Sequence, residues 1–183
     1  ISYPSVTQII TPVKPEIPNL ELYGLRGKMW DRVFTIMVER AEYFTDFFEG
    51  DLKKLEPIGG MKGHSLQWAF NNKRFDFRNA QVEVVNKKDV YYGTYDADGF
   101  YDKEPAIFDC KSGNMSKQRI DEALMQIAAY CVPKKEFPNY EDLPKYMVII
   151  PTRQEEPIVS EEIEKYYGMF MELRKVFKQV YGI

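Results

Sequence analysis

The sequence predicts an α/β fold: a mixed central sheet, built from an antiparallel meander plus a further strand, flanked by helices. Three observations predict it. Three β-favouring stretches succeed one another over residues 81–111, separated only by polar, turn-like residues. A helix-period segment follows at 116–132, and a short, almost wholly apolar run follows at 145–150. A helix between a meander and a later strand implies a mixed sheet with helices on its faces.

Pro4, Pro12, Pro15 and Pro18 preclude a helix through residues 1–20, which read as an extended, Pro-rich N-terminal arm. The arm reads as a tail lying on the surface of a single domain at 21–183, or as a partner-binding segment. Residues 27–48 read as a long helix, since Trp30, Val33, Phe34, Met37, Ala41 and Phe44 recur at three and four. Gly50-Asp51 stops it, Gly59-Gly60 makes a flexible break, and residues 61–71 read as a second helix. Residues 81–86 alternate, with Val82 and Val84 on one face and Glu83 on the other. Residues 90–101 are rich in Tyr, and 105–111 form a short apolar run ending in charge. Ile120, Leu124, Ile127, Ala128 and Cys131 define the helix at 116–132, which Pro133 ends. Residues 145–150 read as a buried strand. Ser160 is placed to cap a final helix, with Glu161 and Glu162 in its first turn and Lys175 and Lys178 in its last.

Composition narrows the function. At 183 residues, with 44% apolar and 29% charged residues, the chain is long enough to bury a core without staples. It opens on Ile1 rather than Met, as a trimmed product would. No apolar run approaches the ~18 residues that span a membrane, and no basic start with an apolar run reads as a signal peptide. Two cysteines, Cys110 and Cys131, suit a reducing cytoplasm and cannot make a four-cysteine metal site. The formal charge of −3 excludes a globally basic nucleic-acid binder. Its distribution matters more: residues 60–135 carry +2, against −2 before them and −3 after them.

That middle third holds the chemistry. The informative stretch is Gly93-Thr-Tyr-Asp96-Ala-Asp98, then Ile107-Phe-Asp109-Cys-Lys111. Alternation puts Asp109 and Lys111 on one side of a strand and Cys110 on the other. In a hairpin, Asp96 comes to lie beside Asp109, and two carboxylates that close repel unless a cation sits with them. A divalent metal and Lys111 both answer that need. Phosphodiester hydrolysis wants this set: carboxylates hold one or two Mg²⁺ ions, and a lysine beside the attacking water positions it or stabilises the phosphate. Asp98 is the competing carboxylate; the spacing from Gly93 favours Asp96.

Asp-Cys-Lys preceded by apolar residues, with Gly-x-x-Asp 13 residues upstream, resembles the PD-(D/E)XK nucleases, and the Gly-x-x-Asp form resembles their RecB-like branch. Gln126-Ile-Ala-Ala-Tyr130 is similar to that branch's Q-x-x-x-Y motif, and Gly63-His64 to its upstream motif. The resemblance covers about residues 59–150 and implies a restriction-endonuclease-like core. It implies a metal-dependent DNA nuclease, single-strand-preferring, exonuclease or endonuclease, serving replication, recombination or repair, including in viruses and phages. It implies Asp96, Asp109 and Lys111 as catalytic residues. Mg²⁺ or Mn²⁺ would be held by His64, Asp96, Asp109 and the backbone carbonyl of Cys110. Gln126 and Tyr130 would border the site and touch the strand. Glu83 is a further residue that would orient the site or bind a second metal. The four-cysteine motif of some relatives is missing, so no iron–sulfur cluster is expected, and no helicase motor is present. The partners the resemblance implies are DNA, single-stranded by preference, and replication or recombination proteins, with no membrane.

Plainer readings stand beside these. Asp-x-Lys alone is an ordinary strand end, a lone histidine is more often packed or solvated, and Tyr130 is equally a core residue. Tyr91, Tyr92 and Tyr95 read as sheet packing before base stacking. Lys73, Arg74 and Arg78 read as a solvated loop or as phosphate contacts. As a whole, the rival is a catalytically silent nucleic-acid-binding or protein-interaction module on the same fold.

Overall fold

The structure, a computed structural model, describes residues 3–10, 20–39, 64–112, 114–133, 144–152 and 156–183. In the helices Leu20–Glu39 and His64–Asn71 the side chains described are those of 28, 31–39 and 68–71. The elements run α1 (Val6–Ile10), α2 (Leu20–Glu39), α3 (His64–Asn71), β1 (Phe75–Asn86), β2 (Tyr91–Tyr101), β3 (Glu104–Lys111), α4 (Lys117–Cys131), β4 (Tyr146–Pro151), β5 (Ile158–Ser160) and α5 (Ile163–Tyr181).

The five strands form one mixed sheet in the order β1-β2-β3-β4-β5. β1, β2 and β3 are the expected antiparallel meander. The β2–β3 turn uses Asp102 and Lys103, both at positive φ, as a two-residue hairpin requires. Arg74 clamps that turn through two hydrogen bonds to Asp102 and stacks on Tyr101, while Arg78 pairs with Asp76. After α4 crosses over, β4 returns parallel to β3, with Phe108 opposite Val148 and Asp109 opposite Ile149.

Each face of the sheet carries a core. On one face α1, α4 and α5 pack over Val84, Tyr91, Tyr95, Ile107, Met147 and Ile149. On the other, Phe34, Met37 and Val38 of α2 and Ala69 of α3 pack over Phe75, Ala97, Phe108, Val148 and Ile150. β4 therefore splits its residues alternately between two cores, which is why it reads as a continuous apolar run. Tyr167 and Asn86 meet at Asp89, and Arg174 donates to the carbonyls of Asp89 and Val90, pinning the β1–β2 turn to α5.

Several expectations shift. Residues 6–10 are not an extended arm: they form α1, with Val6, Ile9 and Ile10 at most 3% exposed. Ser5 and Gln8 cap it reciprocally, the Ser5 hydroxyl accepting the Gln8 N–H and the Gln8 carbonyl oxygen accepting the Ser5 N–H. Prolines at 4 and 12 leave room for one short helix between them. α2 starts seven residues earlier than its apolar stripe suggests; the stripe's continuation over 40–48, the Gly59-Gly60 break and Gly63 lie outside the described residues. β1 extends back to Phe75, because Phe75 and Phe77 pack into the α2–α3 core. Ser160 sits in β5, a strand the sequence reading missed, and its hydroxyl accepts the Glu162 N–H while the helix starts at Ile163. Three residues are too few to show a period.

Candidate active site

The site forms where two paired strands part. β2 and β3 pair from Tyr101–Glu104 as far as Ala97–Phe108, and the ladder stops there. The next pair in that register is Asp96 with Asp109. Asp96 takes over the role of the missing partner strand: its Oδ2 accepts the Cys110 N–H at 2.8 Å. The N-terminal segment occupies β2 further along, where the Tyr92 N–H donates to the Pro4 carbonyl. A residue's N–H and C=O leave a strand on the same edge. The Cys110 carbonyl therefore faces the same gap, while the Cys110 side chain packs in the α2–α3 core. Burial pushes the Cys110 thiol well up, so it stays neutral.

Asp109 and Lys111 share a strand face, as alternation predicts. Lys111 Nζ lies 2.7 Å from Asp109 Oδ2 and 3.0 Å from Oδ1. The same ammonium donates to Gln126 Oε1 at 3.1 Å, and Gln126 Nε2 donates to the Tyr130 hydroxyl at 2.9 Å. Gln126 and Tyr130 are one turn apart on α4, whose N-terminus is set by the Ser116 hydroxyl accepting the Arg119 N–H. The Tyr130 ring packs closely on β2 because position 93 is glycine: a Cβ there would sit 2.5 Å from Tyr130 Cε1. Gly93 and Tyr130, 37 residues apart in sequence, are thus one packing unit.

The electrostatics follow from burial. Asp109 is only 2% exposed. Burial, then the neighbouring Asp109, push the Asp96 carboxyl well above the usual carboxylate range, with Lys111 and the Cys110 N–H pulling the other way. Burial opposes the charged form of Lys111, yet Asp109 and Asp96 outweigh it and raise the ammonium above its ordinary range. Burial pushes the Tyr130 hydroxyl up to about 12.

Of the residues the sequence singles out, Asp96, Asp109, Lys111, Gln126, Tyr130 and the Cys110 main chain come together. Asp98 does not join them: its carboxylate is tied to the Tyr95 hydroxyl at 2.5 Å and the Asn79 amide at 2.8 Å. Tyr130 is 2% exposed, so its ring packs on Gly93 rather than offering a face to a bound strand. Glu83 is exposed opposite Thr94, two residues along β2 from Asp96, and does not join the group. His64 opens α3, and its side chain lies outside the described residues.

Two residues were missed. Asp31 of α2 lies near enough to raise both Asp96 and Cys110. Gln81 holds it: the Gln81 amide donates to Thr35 Oγ1 at 3.1 Å and to Asp31 Oδ1 at 3.4 Å. Gln81 adopts φ 51°, a left-handed conformation that costs a non-glycine residue about 1–2 kcal/mol. In sequence Asp31 is only a polar residue beside an apolar helical stripe, and nothing local links it to Asp96.

Two carboxylates, Asp109 buried and Asp96 half-buried, and a main-chain carbonyl are hard oxygen donors that suit Mg²⁺ or Mn²⁺. The repulsion that raises Asp96 is what a divalent cation would relieve. Among the described residues no three His, Cys, Asp or Glu side chains are grouped to hold a metal. No helix among them is long and apolar enough to cross a membrane. No family model matches the chain, and no curated protein is significantly similar to it.

Proposed function

We propose that this chain is a metal-dependent DNA nuclease of the RecB-like PD-(D/E)XK type, with a restriction-endonuclease-like core. The observation that carries the reading is the meeting of Asp96, Asp109 and Lys111 where β2 and β3 separate. A buried carboxylate and a half-buried one beside a lysine ammonium form an arrangement with a large desolvation cost. Such sets belong where charge is handled.

Asp96, Asp109 and the Cys110 carbonyl would hold Mg²⁺ or Mn²⁺, with His64 as a further ligand. A divalent cation at such a site lowers the pKa of bound water and neutralises charge on a phosphate. Lys111 keeps its proton beside the carboxylates, so it serves as a donor and a positive charge facing the developing phosphate charge. Gln126 holds that ammonium from behind, and Tyr130 holds Gln126. Asp31 adds a further negative charge beside Asp96.

The substrate is DNA, single-stranded by preference, cut in an exonuclease or endonuclease mode during replication, recombination or repair, in a cellular cytoplasm or an infected cell. The experiment is cleavage of end-labelled single- and double-stranded DNA in Mg²⁺, Mn²⁺ and EDTA, with Asp109→Ala and Lys111→Ala alongside. Cutting that needs metal and is lost in both variants supports the reading. Folded protein that cuts in no metal overturns it in favour of a binding module. Cutting that survives both substitutions places the active site elsewhere.

A further inference from the structure

We infer that Gln81 is a positioning residue for the site: its left-handed backbone turns the rung it shares with Asp96, so that the Asp96 carboxylate lies in the plane of the sheet and reaches β3. Its part in metal binding rests on the nuclease reading above. Its part in aiming Asp96 stands on the geometry alone.

Both strands change faces at this rung. Val82 and Tyr95 are register partners, and both pack against the α4 core. Ala80 and Ala97 are also partners, two residues along each strand, and both pack in the α2–α3 core. In a regular strand, residues two apart point to the same face. Here they point to opposite faces on both strands, and only Gln81 and Asp96 lie between them. The change of face is therefore made at those two residues. Gln81 makes it by leaving strand geometry, at φ 51°.

The consequence is the direction of Asp96. A residue of a regular strand aims its side chain at one face of the sheet or the other. The Asp96 carboxylate instead meets the Cys110 N–H at 2.8 Å, a main-chain group directed from β3 toward β2 within the sheet. Asp109 approaches it from the α4 side and Asp31 from the α2 side, and both raise its carboxyl.

α2 holds the rung in this state. The Gln81 amide donates to Thr35 Oγ1 at 3.1 Å and to Asp31 Oδ1 at 3.4 Å, and the Thr35 hydroxyl donates to the Asp31 carbonyl at 2.8 Å. Strained backbone persists where its surroundings over-determine it, and bulges beside active sites re-aim side chains. The plainer reading is an irregularity that blunts the outer edge of β1, which is an edge strand. An edge device needs neither an anchor on α2 nor a place opposite Asp96.

The test compares three variants by two readouts. One is hydrogen exchange of the Cys110 N–H relative to the other amides of β3, in EDTA, which needs no catalysis. The other is Mn²⁺ affinity, with kcat on single-stranded DNA. Gln81→Val places a β-branched side chain where φ is positive. It is expected to speed Cys110 exchange selectively by roughly 10-fold, and to weaken Mn²⁺ binding and lower kcat by roughly 10-fold or more. Gln81→Gly accepts the left-handed backbone without a Cβ and is expected to recover most of both. Thr35→Val removes the hydroxyl that holds the Gln81 amide and is expected to show a smaller loss of the same kind. If Gln81→Val does not fold, Thr35→Val decides by the same readouts. Cys110 exchange that is unchanged, or faster only in step with all of β3, overturns the positioning role. Gln81→Gly as impaired as Gln81→Val overturns the backbone as its cause. Selective Cys110 exchange in the variant, with wild-type protein that neither binds Mn²⁺ nor cuts, supports the aiming of Asp96 and overturns the nuclease reading.

Discussion

The carboxylate of Asp96 hydrogen-bonds the main chain of a strand it is no longer paired with, accepting the Cys110 N–H at 2.8 Å where the β2–β3 ladder has ended. One side chain therefore both closes the sheet locally and supplies a charge to the site. The two roles are separable. Asp96→Asn keeps an oxygen acceptor and removes the charge, whereas Asp96→Ala strands a part-buried N–H. Asp96→Ala is expected to be less stable than Asp96→Asn by about 1–3 kcal/mol in chelator, read from urea unfolding, with both variants inactive.

Asp96 also sets a pH dependence. Its carboxyl is raised above the 3.8 of an unfolded chain, by burial first and Asp109 second. The folded state then holds the proton more tightly than the unfolded state. Stability from this group is present at low pH and is lost as pH rises from about 4 through the raised folded value. In EDTA, the stability of Asp96→Asn relative to wild type is expected to increase over that window. A difference that is flat with pH would remove Asp96 from this account.

A divalent metal held as proposed would act on the same repulsion. Mg²⁺ or Mn²⁺ at 100 times its dissociation constant is expected to stabilise the wild type by about 2.7 kcal/mol. Thermal melts should show no such gain for Asp109→Ala. This readout is independent of cleavage.

Gly93 and Tyr130 are tested as a pair. A methyl at position 93 would meet the Tyr130 ring at 2.5 Å, so Gly93→Ala is expected to destabilise by about 1–3 kcal/mol. Combined with Tyr130→Ala, the two losses are expected to fall short of their sum, because the clash is gone. Additive losses in a double-mutant cycle would show that the ring and Gly93 act separately.

Gln126 connects that packing unit to Lys111. Gln126→Leu keeps the approximate volume and removes the oxygen that accepts from Lys111 Nζ at 3.1 Å. If the lysine shifts by about an ångström, kcat is expected to fall on the order of 100-fold with KM little changed. Gln126→Glu retains an acceptor and is expected to keep more activity than Gln126→Leu. Equal kcat in all three proteins would leave Gln126 without a positioning role.

Much of this protein was determined by its sequence alone. Alternation at Asp109-Cys110-Lys111 dictates which side chains share a face, and polar turns at 87–89 and 102–104 dictate an antiparallel meander, because both are local properties of a pleated chain. The Ser5-x-x-Gln8 capping box was also present to be read, though the surrounding prolines masked it. The tertiary structure decided what local period cannot carry. It decided that β2 and β3 part at Asp96 and Asp109, and that Asp98 turns to Tyr95 instead. It enclosed Tyr91, Tyr95 and Tyr130 while leaving Tyr92 exposed, and it brought Asp31 of α2 to Asp96. Each of those outcomes depends on which element covers which face of the sheet. That is a matter of contacts between residues distant in sequence, and no window of neighbouring side chains encodes it.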